Sequence, residues 1–197
     1  MPKTDPFTFG FGRGPYSVSR KCLAKRDLSS MSFEYMYKFW KTYPESRKHF
    51  QARIIAPHEF TGENNRFVDP ILAETLKKFD EEKLLDDTIV YIYSDHGDHI
   101  DFLMWNTVSG YSELMNPPMF MMIPDHLAEK HHENLTINSQ RLMTHHQIFN
   151  NNIKYLEVTP SDRTLKNGYT LFYDTAPVKG TCESEHVYED CKCFLPK

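Results

Sequence analysis

The sequence predicts an α/β fold in which a mostly parallel central sheet is flanked by helices. Short apolar segments alternate with amphipathic helical segments, in the order strand, helix, strand, loop, strand, helix, which is typical of a helix-covered parallel sheet. With 197 residues, 40% of them hydrophobic, the chain can bury the core of one domain or form a piece of a larger one. We predict an irregular segment at 1–30, the α/β domain at 31–175 and an irregular cysteine-containing tail at 176–197.

The first predicted elements are a helix and a short strand. In "SFEYMYKFWKTY", Phe33, Tyr37 and Trp40 recur at helical spacing. The segment "ARIIAPHEF" then has the pattern of a short buried strand that is stopped by Pro57 and leaves His58 just past its end.

The segment "VDPILAETLKKFDEEKLL" has the clearest helical pattern in the chain. Asp69 has the position of an N-cap, with Pro70 as the first helical residue. The apolar stripe consists of Val68, Ile71, Leu72, Leu76 and Phe79.

A turn at Asp86 and Asp87 leads into "TIVYIY", an almost continuous apolar run typical of a strand buried on both faces. Another strand, "PMFMMIP", follows. The segment "QRLMTHHQIFNNNIKYLE" then predicts a helix whose inward residues are Leu142, Ile148, Ile153 and Leu156.

Composition argues against several classes of protein. The net charge of -4 and a pI near 6.2 do not provide the basic surface of a nucleic-acid binder. No apolar run is long enough to span a membrane, and the first residues lack the apolar core of a secretory signal.

The cysteines favour an oxidising compartment. Cys182, Cys191 and Cys193 crowd into the tail in a spacing that fits no zinc-finger pattern, and Cys22 lies near the other end. We treat all four as disulfide candidates, as expected of an extracellular protein. The sequon Asn134-Leu135-Thr136 is a glycosylation candidate that points the same way.

The strongest chemical signal is Asp95-His96, directly after the predicted strand "TIVYIY". In parallel sheets, ligands bind beyond the carboxyl ends of the strands, and both this pair and His58 lie at such ends. A carboxylate and an imidazole suit zinc, manganese or, for the carboxylate, calcium. The two can share one ion only if the chain turns, which Gly97 permits. Alternatively, Ser94 and Asp95 cap a turn while His96 is merely packed.

Taken in order, "LAETLKKFDEEKLLDDTIVYIYSDHG", "GYSELMNPPMFMMIP", "NLTINSQRLMTHHQIF" and "GTCESEHVYEDCKC" resemble the sulfatase/alkaline-phosphatase superfamily. The chain is most similar to the C-terminal half of its secreted animal branch, domain of unknown function 229 (DUF229). The resemblance runs from about Cys22 to Cys193. It implies an extracellular, metal-dependent hydrolase acting on sulfate or phosphate esters.

The resemblance also assigns roles to individual residues. Asp95 and His96 match the pair that ligates one of two active-site metals, and His58 matches a ligand of the other. Such metals act as Lewis acids on the transferring group. The nucleophile and the first metal-binding Asp of the superfamily lie in an N-terminal half that has no counterpart here, so the fold is expected to be incomplete and no catalytic residue is named.

This chain departs from the family pattern at several polar positions. Ile54 stands where the superfamily often has Asp, four residues before His58, and His99 replaces an Arg. Leu114 and Met115 replace a Glu and an Arg, while Gln147 and Phe149 replace a carboxylate and an imidazole.

Three hypotheses follow. The chain is a C-terminal portion of a hydrolase and inactive alone, or a catalytically inactive extracellular binding protein that keeps the fold. The third is a small intracellular module whose Ser-Asp-His-Gly is a coincidence and whose cysteines are free thiols.

Overall fold

The computed structural model describes residues 22–59, 63–100, 102–156, 169–174, 181–183 and 187. The chain divides into two compact units. One consists of Met1–Asp87 with Ile100–Trp105, and the other of Thr88–His99 with Asn106–Lys197.

The first unit contains a small hairpin that differs from the irregular structure predicted up to residue 30. Strands β1 (Cys22–Leu23) and β2 (Arg26–Asp27) pair antiparallel. Ala24 and Lys25 form the two-residue turn with φ angles of 48° and 65°. Such turns usually contain Asn and Gly, which tolerate positive φ, so the sequence carries no turn signal here.

Helix α1 (Leu28–Thr42) follows directly and confirms the predicted helix. It begins at Asp27, whose carboxylate accepts a hydrogen bond from the backbone N–H of Ser30 at 2.7 Å. Tyr37 and Trp40 pack their rings against Phe79, with centroids 6.0 and 5.9 Å away.

Helix α2 (Asn65–Glu81) is also confirmed, but its predicted start is wrong. Asp69 does not cap the helix, and Pro70 lies inside it. The turn before the proline is closed by a hydrogen bond from Phe67 N–H to the Asn64 carbonyl oxygen at 3.1 Å. Phe79 is the buried residue of the predicted stripe, whose other members are half-buried.

The predicted strand around "ARIIAPHEF" does not form. Residues 47–55 have no regular secondary structure, and a turn follows at 56–57. A strand requires a hydrogen-bonded neighbour, whereas this segment is anchored by a side chain: Phe50 packs on Tyr35 and Phe39 of α1 at 5.9 and 5.8 Å.

The second unit contains the two predicted apolar strands, β3 (Val90–Tyr93) and β4 (Met119–Met122). They pair antiparallel, with Val90 opposite Met122 and Tyr93 opposite Met119. Strand β3 is half-buried to exposed, so the expectation that it is buried on both faces is wrong. The strands assigned within the described residues form two antiparallel pairs, and a mostly parallel central sheet stays a prediction.

Short helices connect and follow these strands: α3 (Phe102–Asn106), α4 (Val108–Met115), α5 (Asp125–Lys130) and α6 (His132–Asn138). Helix α7 (His145–Leu156) confirms the last predicted helix. It begins later than predicted because Thr144 donates from its N–H and hydroxyl to the Gln147 side-chain oxygen, at 2.7 and 2.8 Å. Ile148 is buried as expected, but Leu156 is 41% exposed.

The core of the second unit is built around the strap, which we define as residues 169–174. Leu171 and Phe172 are 1% and 0% exposed. Asparagine side chains from α6 and α7 bond the strap backbone: Asn138 donates to the Leu171 carbonyl at 2.9 Å, and Asn151 accepts from the Leu171 N–H at 3.0 Å. Side chains therefore provide hydrogen-bond partners for the N–H and C=O groups of a buried backbone segment that belongs to neither helix nor sheet.

Candidate metal centre

The predicted ligand pair lies in a tight turn at the carboxyl end of β3. The N–H of Ser94 donates to the Pro118 carbonyl at 3.3 Å, extending the pairing with β4 by one step. The Ser94 hydroxyl donates to the His96 carbonyl at 2.5 Å and closes the turn. The chain therefore bends at Asp95 and His96. Such a bend is needed if both side chains are to bind the same ion, because adjacent residues of a straight strand point to opposite faces.

Gly97 holds this turn against the end of helix α4. Its N–H donates to the Leu114 carbonyl at 2.9 Å. A Cβ atom at this position would overlap the Glu113 carbonyl group and lie 2.9 Å from the Leu114 Cα. The glycine is required because two backbone segments approach closely.

His96 has one ring nitrogen bound to the backbone. Its Nδ1 lies 2.6 Å from the Gly97 carbonyl oxygen. A carbonyl oxygen only accepts, so Nδ1 carries the hydrogen and Nε2 of the neutral ring keeps its lone pair. Metal-binding histidines characteristically use one ring nitrogen in this way while the other binds the ion.

Asp95 completes the pair. Its Oδ1 lies 3.9 Å from His96 Nε2, and the Asp95 and His96 side chains are 60% and 42% exposed. Two ligand atoms about 2.1 Å from a tetrahedral zinc ion lie about 3.4 Å apart, so a side-chain rotation that closes about 0.5 Å fits both to one ion. The donor types and their accessibility suit a divalent cation.

Two further imidazoles surround the turn. The ring of His99 packs edge-to-face on His96, with centroids 4.5 Å apart. His145, at the start of α7, has its Nε2 2.9 Å from the Ser94 carbonyl oxygen and its ring 5.7 Å from that of Tyr93. The sequence did not predict this contact, although the Thr-x-x-Gln cap before α7 locates His145 at a helix start.

His58 belongs to the first unit, whereas Asp95 and His96 belong to the second. His58 is half-buried in a turn and donates its backbone N–H to the Ile55 carbonyl at 2.9 Å. Its role as a ligand of a second metal stays a prediction. Across the described ranges, no group of three or more His, Cys, Asp or Glu side chains is placed to hold a metal ion.

Burial raises the pKa of two tyrosine hydroxyls in the second unit. Tyr91, on β3, is largely buried, and this burial raises the pKa of its hydroxyl far above the ordinary value. Burial also raises the pKa of the Tyr155 hydroxyl, with a further contribution from Tyr173. Both hydroxyls therefore stay protonated to a higher pH than that of an ordinary tyrosine.

Most of the chain matches one family model. The model described as protein of unknown function (DUF229) matches residues 14–194, which include the whole Ser94–Gly97 turn. The chain belongs to the DUF229 family. Comparisons with curated proteins and with solved structures find no match.

In this DUF229 chain, the positions that depart from the expected polar pattern have other roles. Leu114 is 5% exposed and lies in the core, where Gly97 packs on its backbone. Gln147 is fully buried and caps α7, while Phe149 is 56% exposed. Leu114 thus serves apolar packing and Gln147 serves helix capping, at positions where the resemblance implies charged residues.

The remaining candidate residues have mixed outcomes. Cys182 is disulfide-bonded, whereas Cys22 is a free thiol on the exposed β1 hairpin, so its expected disulfide is not formed in this structure. Cys191 and Cys193 lie outside the described residues. Asn134 is half-buried and donates its side-chain amide to the Phe172 carbonyl at 2.8 Å, and its glycosylation stays a prediction.

Within the described part of the chain, no helix has the length and apolar character needed to cross a membrane.

Proposed function

We propose that this chain is the C-terminal portion of a secreted, metal-dependent hydrolase of sulfate or phosphate esters, inactive by itself. The observation that carries the proposal is the strand-end turn that presents the Asp95 carboxylate 3.9 Å from Nε2 of His96, while Nδ1 of the same ring bonds the Gly97 carbonyl. Membership in DUF229, whose sequence pattern resembles the sulfatase/alkaline-phosphatase superfamily, supports it.

Asp95 and His96 would hold one divalent ion, with zinc, manganese and calcium as the candidates. When bound, such an ion supplies Lewis-acid stabilisation of the charge that develops on a transferring sulfuryl or phosphoryl group. The chain's own contribution is to orient the two donors: the Gly97 carbonyl fixes the His96 tautomer, and the Ser94 hydroxyl closes the turn.

A partly exposed apolar face, as seen among the described residues, supports the proposal that the chain is one portion of a larger fold. Residues opposite each other in an antiparallel pair share a face, which places Ile92 with Phe120 and Val90 with Met122. Phe120 is 63% exposed and Met122 is 37% exposed. Large apolar faces in complete folds are normally covered, and the remainder of a hydrolase domain would cover this one.

The second candidate function is that of a catalytically inactive extracellular binding protein. It is favoured by Leu114 and Gln147, because these residues are buried in structural roles where the family pattern implies polar or charged groups. In this case the turn would still bind a cation, but no ester would be hydrolysed.

Metal binding by the purified chain tests the proposal. We expect one equivalent of zinc, manganese or calcium, measured by isothermal titration calorimetry, with an affinity below that of a complete four-ligand site. Asp95→Ala and His96→Ala should each abolish it. His146→Ala is the control, because His146 is an exposed imidazole on the first turn of α7.

Absence of binding for all three ions, or binding unchanged in Asp95→Ala, would contradict the proposed site. Hydrolysis of 4-nitrophenyl sulfate and 4-nitrophenyl phosphate is measured on the same preparations. Turnover above buffer that disappears in Asp95→Ala would show that the chain is active alone.

A further inference from the structure

We infer that His145 is a positioning residue that holds the Asp95–His96 pair in its cation-binding arrangement. This inference rests on the proposed metal site and extends it to a residue on a different element. The contact that carries it joins the first turn of α7 to the carboxyl end of β3.

The bond has a defined polarity. His145 Nε2 lies 2.9 Å from the Ser94 carbonyl oxygen, which can only accept, so the imidazole donates. The ring also packs against Tyr93 at 5.7 Å, which restricts its orientation although the side chain lies at the surface. The last strand residue and the first turn residue are therefore held by the same imidazole.

Ser94 connects the His145 hydrogen bond to Asp95 and His96. Its carbonyl forms the peptide group that leads into Asp95, and its hydroxyl donates to the His96 carbonyl at 2.5 Å. A rotation of the Ser94–Asp95 peptide would therefore turn the Asp95 side chain and break the closure of the turn. The His145 bond opposes that rotation from outside the turn.

The other end of the turn is fastened separately. Gly97 donates its N–H to the Leu114 carbonyl at the end of α4. The two bonds hold the turn on either side of Asp95 and His96. Loss of the His145 bond leaves the Ser94 N–H bonded to the Pro118 carbonyl, so the chain should stay folded while the Ser94–Asp95 peptide gains freedom to rotate.

The experiment compares His145→Ala with His145→Gln in the full chain. The side-chain amide of glutamine can place an N–H donor near the position of histidine Nε2, so it retains the bond to Ser94, whereas alanine cannot. His146→Ala is the matched control, because it removes the neighbouring imidazole from the same helix turn.

Two measurements are made. The first, without metal, is the nitrogen-15 spectrum of the His96 ring together with hydrogen exchange of the turn amides. His145→Ala should shift the His96 ring resonances and speed exchange at Asp95, whose N–H belongs to the Ser94–Asp95 peptide, while Gly97 stays protected by its bond to Leu114; His145→Gln should restore both. The second is zinc affinity, which should fall about tenfold in His145→Ala and return in His145→Gln.

The inference is overturned if His145→Ala leaves the His96 spectrum and zinc affinity as in the unmodified protein. It is also overturned if His145→Gln is no better than alanine while its circular dichroism matches the unmodified protein. If the unmodified chain binds no zinc, manganese or calcium, the proposed metal site fails, and the first measurement still decides whether His145 positions the turn.

Discussion

Replacement of Gly97 by alanine should separate the turn from helix α4. The added Cβ would overlap the Glu113 carbonyl group and lie close to the Leu114 Cα. These are backbone atoms, so no side-chain rotation can relieve the clash. Overpacking of this kind costs about 1–3 kcal/mol. The displaced turn also loses the hydrogen bond from Gly97 N–H to the Leu114 carbonyl, which contributes about 1 kcal/mol.

We therefore expect Gly97→Ala to lower the free energy of unfolding by about 2–4 kcal/mol and to abolish cation binding. Urea unfolding followed by far-ultraviolet circular dichroism measures the first effect, and calorimetric titration with zinc measures the second. His146→Ala serves as the control. A change below about 0.5 kcal/mol with zinc binding intact would refute the close approach described here.

Two further predictions concern each unit in turn. Asn138→Ala should cost about 2–4 kcal/mol in urea unfolding, because it leaves two strap carbonyls, including that of Leu171, without their donor. Ser139→Ala, at an exposed neighbour, should cost less than about 0.5 kcal/mol, and equal losses would contradict the role of the strap. The hydrogen bond from Lys41 holds the pKa of Glu82 below its ordinary 4.5. Its stabilisation is therefore present above pH 4.5 and is lost as the pH falls further, so the urea midpoint should fall more steeply between pH 5 and about 3 than in Glu82→Gln. Parallel profiles would contradict this ion pair.

Local patterns predicted the existence of several elements. The apolar stripe ending at Phe79 placed α2, and the runs of β-branched and aromatic residues placed β3 and β4. The position of Asp95 and His96 after β3 followed from the same pattern. These features depend on residues close in sequence, which periodicity reports directly.

Local sequence patterns could not predict features that depend on residues distant in sequence. The apolar run of β3 does not encode which strand will pair with it, and β4 returns antiparallel. The segment after Phe50 has the composition of a strand but no regular secondary structure, while Phe50 itself packs on Phe39 of α1. The contact of His145 with Ser94 joins residues 51 positions apart.

The sequence also failed to predict positions where a residue departs from its usual structural preference. Ala24 and Lys25 adopt left-handed conformations that sequence rules reserve for Gly and Asn. Pro70 lies inside α2, although proline is expected at a helix start. Residue preferences therefore located neither the turn of the β1–β2 hairpin nor the start of α2.

The amide that caps α7 has a consequence for how the start of this helix responds to pH. Gln147 accepts both hydrogen bonds from Thr144, and an amide oxygen does so equally well at any pH. A carboxylate at the same place would lose accepting strength on protonation, near its ordinary pKa of about 4.3. The start of the helix that carries His145 therefore does not depend on the protonation of residue 147.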